Sequence, residues 1–172
     1  MLNFGRFPKF DNLVSLRLER VKIVESELFS CFPNLEELVL VDFKLPGDLY
    51  GLEVISFRLL RLTISSCYCN FSGHQKLMLL TPKLVFLDLK GLIPVNLEAY
   101  EAPLLETIRI DHCYPVATMH RRGAQFDKNQ QKDNAMNILK RFGNAKCVQL
   151  SLSTIEVLLL HCIHCFHYVL ML

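Results

Sequence analysis

Apolar residues in this chain recur in one short phrase: an apolar position, two others, an apolar, one other, an apolar. The phrase reads Leu13-Leu16-Leu18, Leu35-Leu38-Leu40, Leu59-Leu62-Ile64, Leu84-Leu87-Leu89, Leu105-Ile108-Ile110 and Cys147-Leu150-Leu152. Its first positions are spaced by 22, 24, 25, 21 and 42 residues, the last interval being twice 21. Within each phrase apolar and polar residues alternate, as in Ser15-Leu16-Arg17-Leu18-Glu19 and Thr107-Ile108-Arg109-Ile110-Asp111. A period of two predicts a strand with one face buried and one wet. Intervals of twenty-odd residues are too long for tight hairpins and long enough for a return crossover. The pattern therefore predicts six parallel strands in stacked units, none able to bury its apolar face alone.

Two further marks repeat. Pro33, Pro82 and Pro103 each stand two residues before the first leucine of their unit, where proline ends the preceding segment. Cys67 and Cys113 each follow the last apolar strand position by three residues, a place where a small side chain can turn inward. The spacing lies in the leucine-rich-repeat window, and those cysteines occupy its Asn/Cys position. The other units carry Val21, Phe43, Leu92 and Ile155 there. Phrases such as Ser30-Cys31-Phe32-Pro33-Asn34-Leu35-Glu36-Glu37-Leu38, Ala102-Pro103-Leu104-Leu105-Glu106 and Asn144-Ala145-Lys146-Cys147-Val148-Gln149-Leu150 resemble the leucine-rich region of plant F-box/LRR proteins. The likeness runs from about Phe7 to Val157. It implies an α/β fold: a leucine-rich-repeat solenoid arc, with parallel β-strands on the concave face and helices or irregular loops on the convex face. It also implies the substrate-recognition half of a ubiquitin-ligase receptor. Before Leu13 there is no room for an F-box, so docking on a Skp adaptor is not expected.

The chain divides into a lead-in over 1–12, the repeat region over 13–156 and an apolar tail rich in cysteine and histidine over 157–172. Within the repeats, residues 121–146 form a polar insert followed by a helix-like spacing of Met136, Ile138, Leu139 and Phe142. Asp133 or Asn134 is expected to cap that helix and Gly143 to end it. At 172 residues and 51% hydrophobic, the chain is long and apolar enough for one folded domain. A net charge of +2 singles out neither nucleic acid nor an acidic partner. Seven cysteines without a preceding signal-peptide core read as reduced thiols, which places the protein in the cytoplasm or nucleus.

Other chemistry weighs less. His161, Cys162, His164, Cys165 and His167 are zinc-ligand types, but structural zinc usually draws paired ligands from separated elements. A packed tail without metal is the simpler expectation. Val157 to Leu172 carries no Asp, Glu, Lys or Arg, yet its 16 residues would span only about 24 Å as a helix, short of a bilayer core. A membrane anchor, a zinc-binding tail and a truncated fragment without independent function are the alternatives. His112 and Cys113 are neighbours on a predicted strand and point to opposite faces, so they do not make a catalytic pair. No phosphate loop, HExxH or GxSxG motif occurs, and no enzyme activity or cofactor is expected. The basic residues between Arg121 and Lys146 are diluted by acids and have few aromatics, so no nucleic-acid binding is expected.

The outward positions of the strands are expected to form three columns. They are Ser15, Glu37, Arg61, Phe86, Thr107 and Gln149; then Arg17, Val39, Thr63, Asp88, Arg109 and Ser151; then Glu19, Val41, Ser65, Lys90, Asp111 and Ser153. Along these columns Glu37 is expected to pair with Arg61, and Asp88 with Arg109. Val39, Val41 and Phe86 are apolar residues among charges, which is how a partner's anchors are placed. The candidate partner-binding residues are therefore Glu37, Val39, Val41, Arg61, Phe86, Asp88 and Arg109, on a non-catalytic protein-interaction face.

Overall fold

The sequence phrases become parallel strands of a single six-stranded sheet. The computed structural model describes residues 9–26, 28–45, 51–69, 76–91, 96–99, 102–111, 128–156 and 158–159. The strands of this sheet are β1 (Ser15–Glu19), β2 (Glu37–Val41), β5 (Arg61–Ser65), β8 (Phe86–Lys90), β10 (Thr107–Asp111) and β11 (Cys147–Leu150), side by side in that order. The first five stand in strict register: Ser15, Glu37, Arg61, Phe86 and Thr107 are successive partners. Leu38, Leu40, Leu62, Ile64, Leu87, Leu89, Ile108 and Ile110 point inward and are at most 1% exposed. Leu16 and Leu18 are only half-buried because β1 is the end of the stack and has a neighbour on one side alone.

Four of the first five units enter their strands through a common turn. Leu13, Leu35, Leu84 and Leu105 donate their N–H to the carbonyls of Phe10, Phe32, Thr81 and Ala102, three residues back. Pro33, Pro82 and Pro103 sit at the second position of three of these turns, where the fixed proline φ is already suitable.

Four units also leave by a common device. The residue after the strand takes a left-handed backbone: Arg20 (φ 54°), Asp42 (φ 50°), Ser66 (φ 55°) and Gly91 (φ 71°). The N–H groups of these four bond to Val41, Ser65, Lys90 and Asp111 of the next unit at 2.7–3.0 Å, so the sheet ladder extends through the corner. Beyond it, Phe43 and Cys67 turn inward and are fully buried. Cys67 thus sits where the repeat pattern puts it, and Phe43 shows that an aromatic ring fills the same place. Cys113 and Leu92 lie outside the described residues.

The return path is made of strands. β3 (Lys44–Leu45) pairs with β6 (Tyr68–Cys69) at the corner. Behind them β4 (Gly51–Ile55), β7 (Lys76–Leu80) and β9 (Asn96–Ala99) form a second parallel sheet. Leu52, Val54, Leu77 and Leu79 pack inward from it against the leucines of the main sheet. Where helices or irregular loops were expected, three units are closed by strands. The result is a mostly parallel β-solenoid of about three turns with few helices. A short 3₁₀ helix, Leu28–Cys31, packs beside β4 and buries Leu28 and Phe29.

Among the described residues one helix is long: α1 (Lys128–Arg141) packs beside β9 and, with Phe142 just after it, buries Ala135, Ile138 and Phe142 at helical spacing. It begins well before the expected caps: Asp133 and Asn134 lie inside it. Gly143 lies in the turn after it without a left-handed φ. The helix end is closed instead by Phe142 N–H on the Ile138 carbonyl and Ala145 N–H on the Phe142 carbonyl.

That last bond repeats the turn that opens four of the other units, which makes Ala145 the sixth entry residue. β11 is therefore shifted by two residues from the expected phrase. Cys147 partners Thr107, Val148 partners Ile108, Gln149 partners Arg109 and Leu150 partners Ile110. Leu152 lies beyond the strand and is 72% exposed. Ser151 ends the strand: its Oγ accepts the Thr154 N–H at 3.3 Å, and a helical turn follows over 152–156. Ser151, Ser153 and Ile155 thus leave the repeat positions assigned to them. An alanine in the entry position hid the true phrase, Ala145-Val148-Leu150.

Candidate binding face

Five-residue strands in register force outward side chains into columns, and these columns decide which residues meet. The first is Ser15, Glu37, Arg61, Phe86, Thr107 and Cys147; the second is Arg17, Val39, Thr63, Asp88, Arg109 and Gln149. The third is Glu19, Val41, Ser65, Lys90 and Asp111. Gln149 moves to the second column and Cys147, an exposed free thiol, takes its place in the first.

Phe86 lies at the centre. The Arg61 guanidinium, from the directly paired position on β5, stands 4.5 Å from its ring centroid. The Arg109 guanidinium, from β10 on the other side, stands 5.2 Å from the same centroid. The ring's quadrupole attracts both cations and holds them in place. Arg61 also lies 3.8 Å from Glu37, a charge contact longer than a hydrogen bond. Arg109 donates from Nε to the Gln149 amide oxygen.

Asp88 sits beside this group. The expected pairing with Arg109 is replaced by one within its own strand: Lys90 Nζ lies 2.8 Å from Asp88 Oδ2. Residues two apart on a strand share a face, so the ion pair forms without crossing to a neighbour. The Asp88 side chain is 5% exposed and its Oδ1 has no hydrogen-bond partner, the one such buried side-chain oxygen among the described residues. Val39 and Val41 face outward on β2 and are half-buried. They stand two strands from Phe86, about 10 Å at ordinary strand spacing, and so form a separate part of the face.

A fourth column was not anticipated. Val14, Glu36, Leu60, Val85, Glu106 and Lys146 immediately precede the strands, and the carbonyls of Val14, Glu36, Leu60 and Val85 each receive two N–H groups from the next unit. Of its apolar members, Val14 and Leu60 are exposed and Val85 is half-buried. Glu106 is engaged by Lys146 at 2.8 Å. The signal was present in the repeat register, but these residues precede the alternating run and were not counted as outward.

The remaining chemistry is spare. Among the described residues no group of three or more His, Cys, Asp or Glu side chains is placed to hold a metal ion. Among the same residues no helix is long and apolar enough to cross a membrane. His112, Cys113, the polar part of the insert and the Cys/His cluster of the tail lie outside them. The arrangement defines a class: a parallel β-solenoid with a charged and aromatic patch on the outward face of its main sheet. Comparison with protein-family models, with curated proteins and with solved structures finds no match for the chain.

Proposed function

We propose that this protein is a non-catalytic interaction module that receives a protein partner on the outward face of the six-stranded sheet. The observation that carries this reading is Phe86, held between Arg61 and Arg109. Aromatic and arginine side chains set in an apolar centre are the groups that dominate interface energies. We read the solenoid as leucine-rich-repeat in type. The spacing of the phrase, the inward leucines and the repeated strand-and-corner unit support that reading. On it, the role is like that of the substrate-recognition repeats of F-box/LRR ubiquitin-ligase receptors. The thiols of Cys31 and Cys147 are free, which suits a reducing compartment such as the cytoplasm or nucleus.

The test is capture of a partner by the full chain, compared with the double variant Arg61→Ala/Phe86→Ala. Loss of the partner with an unchanged circular dichroism spectrum and melting temperature is the expected result. Met78→Ala, on the outer side of the return sheet, is the control and is expected to retain it. Equal capture by the wild type and the double variant removes the outward face from the proposal.

A further inference from the structure

The two edges of the six-stranded sheet are halves of one interface. We infer that β11 of one molecule pairs in parallel with β1 of a second copy, so that the chains stack end to end. This surface is separate from the outward face and does not depend on its role. Exposure gives the first reason. Leu35, Leu59 and Leu84 are fully buried and Ile108 and Ile110 are at most 1% exposed, whereas Leu13, Leu16 and Leu18 at the β1 edge are only half-buried. At the other edge Val148 is 47% exposed and Leu150 half-buried. Each edge is thus an apolar cross-section of the kind that interior units bury against their neighbours. A strand edge also presents N–H and C=O groups to a further strand.

The occupant is named by the contact that the units already make within the molecule. Every neighbouring pair in this sheet is parallel, and the register runs without a break from β1 to β11. Continued past β11, it sets Ser15, Leu16, Arg17 and Leu18 of a copy against Cys147, Val148, Gln149 and Leu150. Leu16 then covers Val148 and Leu18 covers Leu150, and Arg17 meets the neutral Gln149 as Arg109 does on the other side. No like charges face each other, so the junction buries none that repel. The carbonyls of Val14, Glu36, Leu60 and Val85 each take two N–H groups from the next unit, and Lys146 is the next open member of that series. In the stack it receives Val14 and Ser15 N–H of the copy.

Asn12 is an independent mark. Asn34 and Asn144 each stand one residue before an entry residue, and their amides reach back to the carbonyls of Asp11 (2.6 Å) and Ala102 (3.0 Å) in the preceding unit. Asn12 holds the same place before Leu13 and is exposed, with no preceding strand of the sheet among the described residues. In the stack it reaches the turn over 142–145 of the neighbouring molecule. A single foreign strand would pair with the β1 backbone but would not bring an entry turn for Asn12. The two joined surfaces differ, so the contact is heterologous and leaves each assembly with one open edge of each kind.

The experiment is sedimentation velocity of the full chain over about a hundredfold range of concentration. Leu16→Lys blocks the β1 edge and Val148→Lys the β11 edge, at positions where a lysine reaches water. Circular dichroism and melting curves verify that both variants fold. The wild type is expected to grow with concentration through the dimer and beyond, and each variant alone to stay monomeric. An equimolar mixture of the two is expected to form a 1:1 dimer and nothing larger, since one offers an intact β11 and the other an intact β1. Asn12→Asp repeats the β1 test at an exposed position and is expected to lower the association constant about fivefold, the scale of one hydrogen bond. A wild type that is monomeric throughout overturns the inference, and is the outcome if another segment of this chain covers either edge. Dimers of Val148→Lys alone, through two β1 edges, or of Leu16→Lys alone, through two β11 edges, overturn it as well. So does association that none of the three substitutions changes.

Discussion

Lys90 Nζ lies 2.8 Å from Asp88 Oδ2, while Oδ1 of the same buried carboxylate has no hydrogen-bond partner. A buried acceptor left unbonded costs about 1–3 kcal/mol. The cation is half-exposed and returns to water when the acid is removed. Asp88→Val, which suits a strand, is therefore expected to leave stability unchanged or raise it by about 1 kcal/mol. Urea unfolding measures this, and a loss above about 2 kcal/mol would show that Oδ1 is bonded after all.

The corner ladder makes opposite forecasts for glycine and non-glycine members. Gly91→Ala puts a Cβ on a residue at φ 71°, 3.1 Å from Ser66 Oγ, and is expected to cost about 1–2 kcal/mol. Arg20→Gly relieves a left-handed arginine and is expected to be neutral or slightly stabilising despite the added freedom of the unfolded chain. Thermal melts of the two variants should move apart; a fall of equal size in both would refute the shared corner.

Gly51 is required for a different reason. It opens β4 directly against Lys76 of β7, and a Cβ there would collide with the Lys76 backbone carbonyl. Backbone cannot yield as a flexible side chain can, so Gly51→Ala must separate the return strands. We expect a loss of more than about 2 kcal/mol, read as a lowered denaturation midpoint. A wild-type midpoint would mean that the two strands do not approach as described.

The last strand offers a test of register. Leu62 is fully buried and Leu62→Ala is expected to cost about 2–5 kcal/mol. Leu152 follows the leucine phrase equally well but is 72% exposed, and Leu152→Ala should change stability by less than about 0.5 kcal/mol. A Leu152→Ala cost like that of Leu62→Ala would restore the unshifted phrase.

Parts of the molecule were plain in the chain and parts were not. The five leading strands begin and end where alternation places them, and the Pro33, Pro82 and Pro103 positions mark their entry turns. The return strands were missed although Leu52, Leu77 and Leu97 are register partners, because their phrase occurs in three units only, at uneven spacings of 25 and 20, and has Leu49, His74 and Pro94 where the main phrase has a constant leading apolar residue. The sixth unit was misread because Ala145 carries too little apolar signal to mark an entry position, whereas Leu152 carries a strong one. Of the outward residues, Glu37 and Arg61 meet as their column predicts, but Asp88 chooses Lys90. Sequence adjacency across strands does not say which of several reachable cations a carboxylate takes.

The amino-acid sequence by itself determined that strands recur, that they run parallel and which side chains face inward for five units. Those properties follow from a local period of two and a repeat interval too long for hairpins, and both are visible in one dimension. Only the tertiary structure decided how each turn closes, where β11 pairs and that Phe86 gathers Arg61 and Arg109 around one ring. These depend on contacts between units, whose geometry is set by corner conformations and packing rather than by the pattern within any one strand.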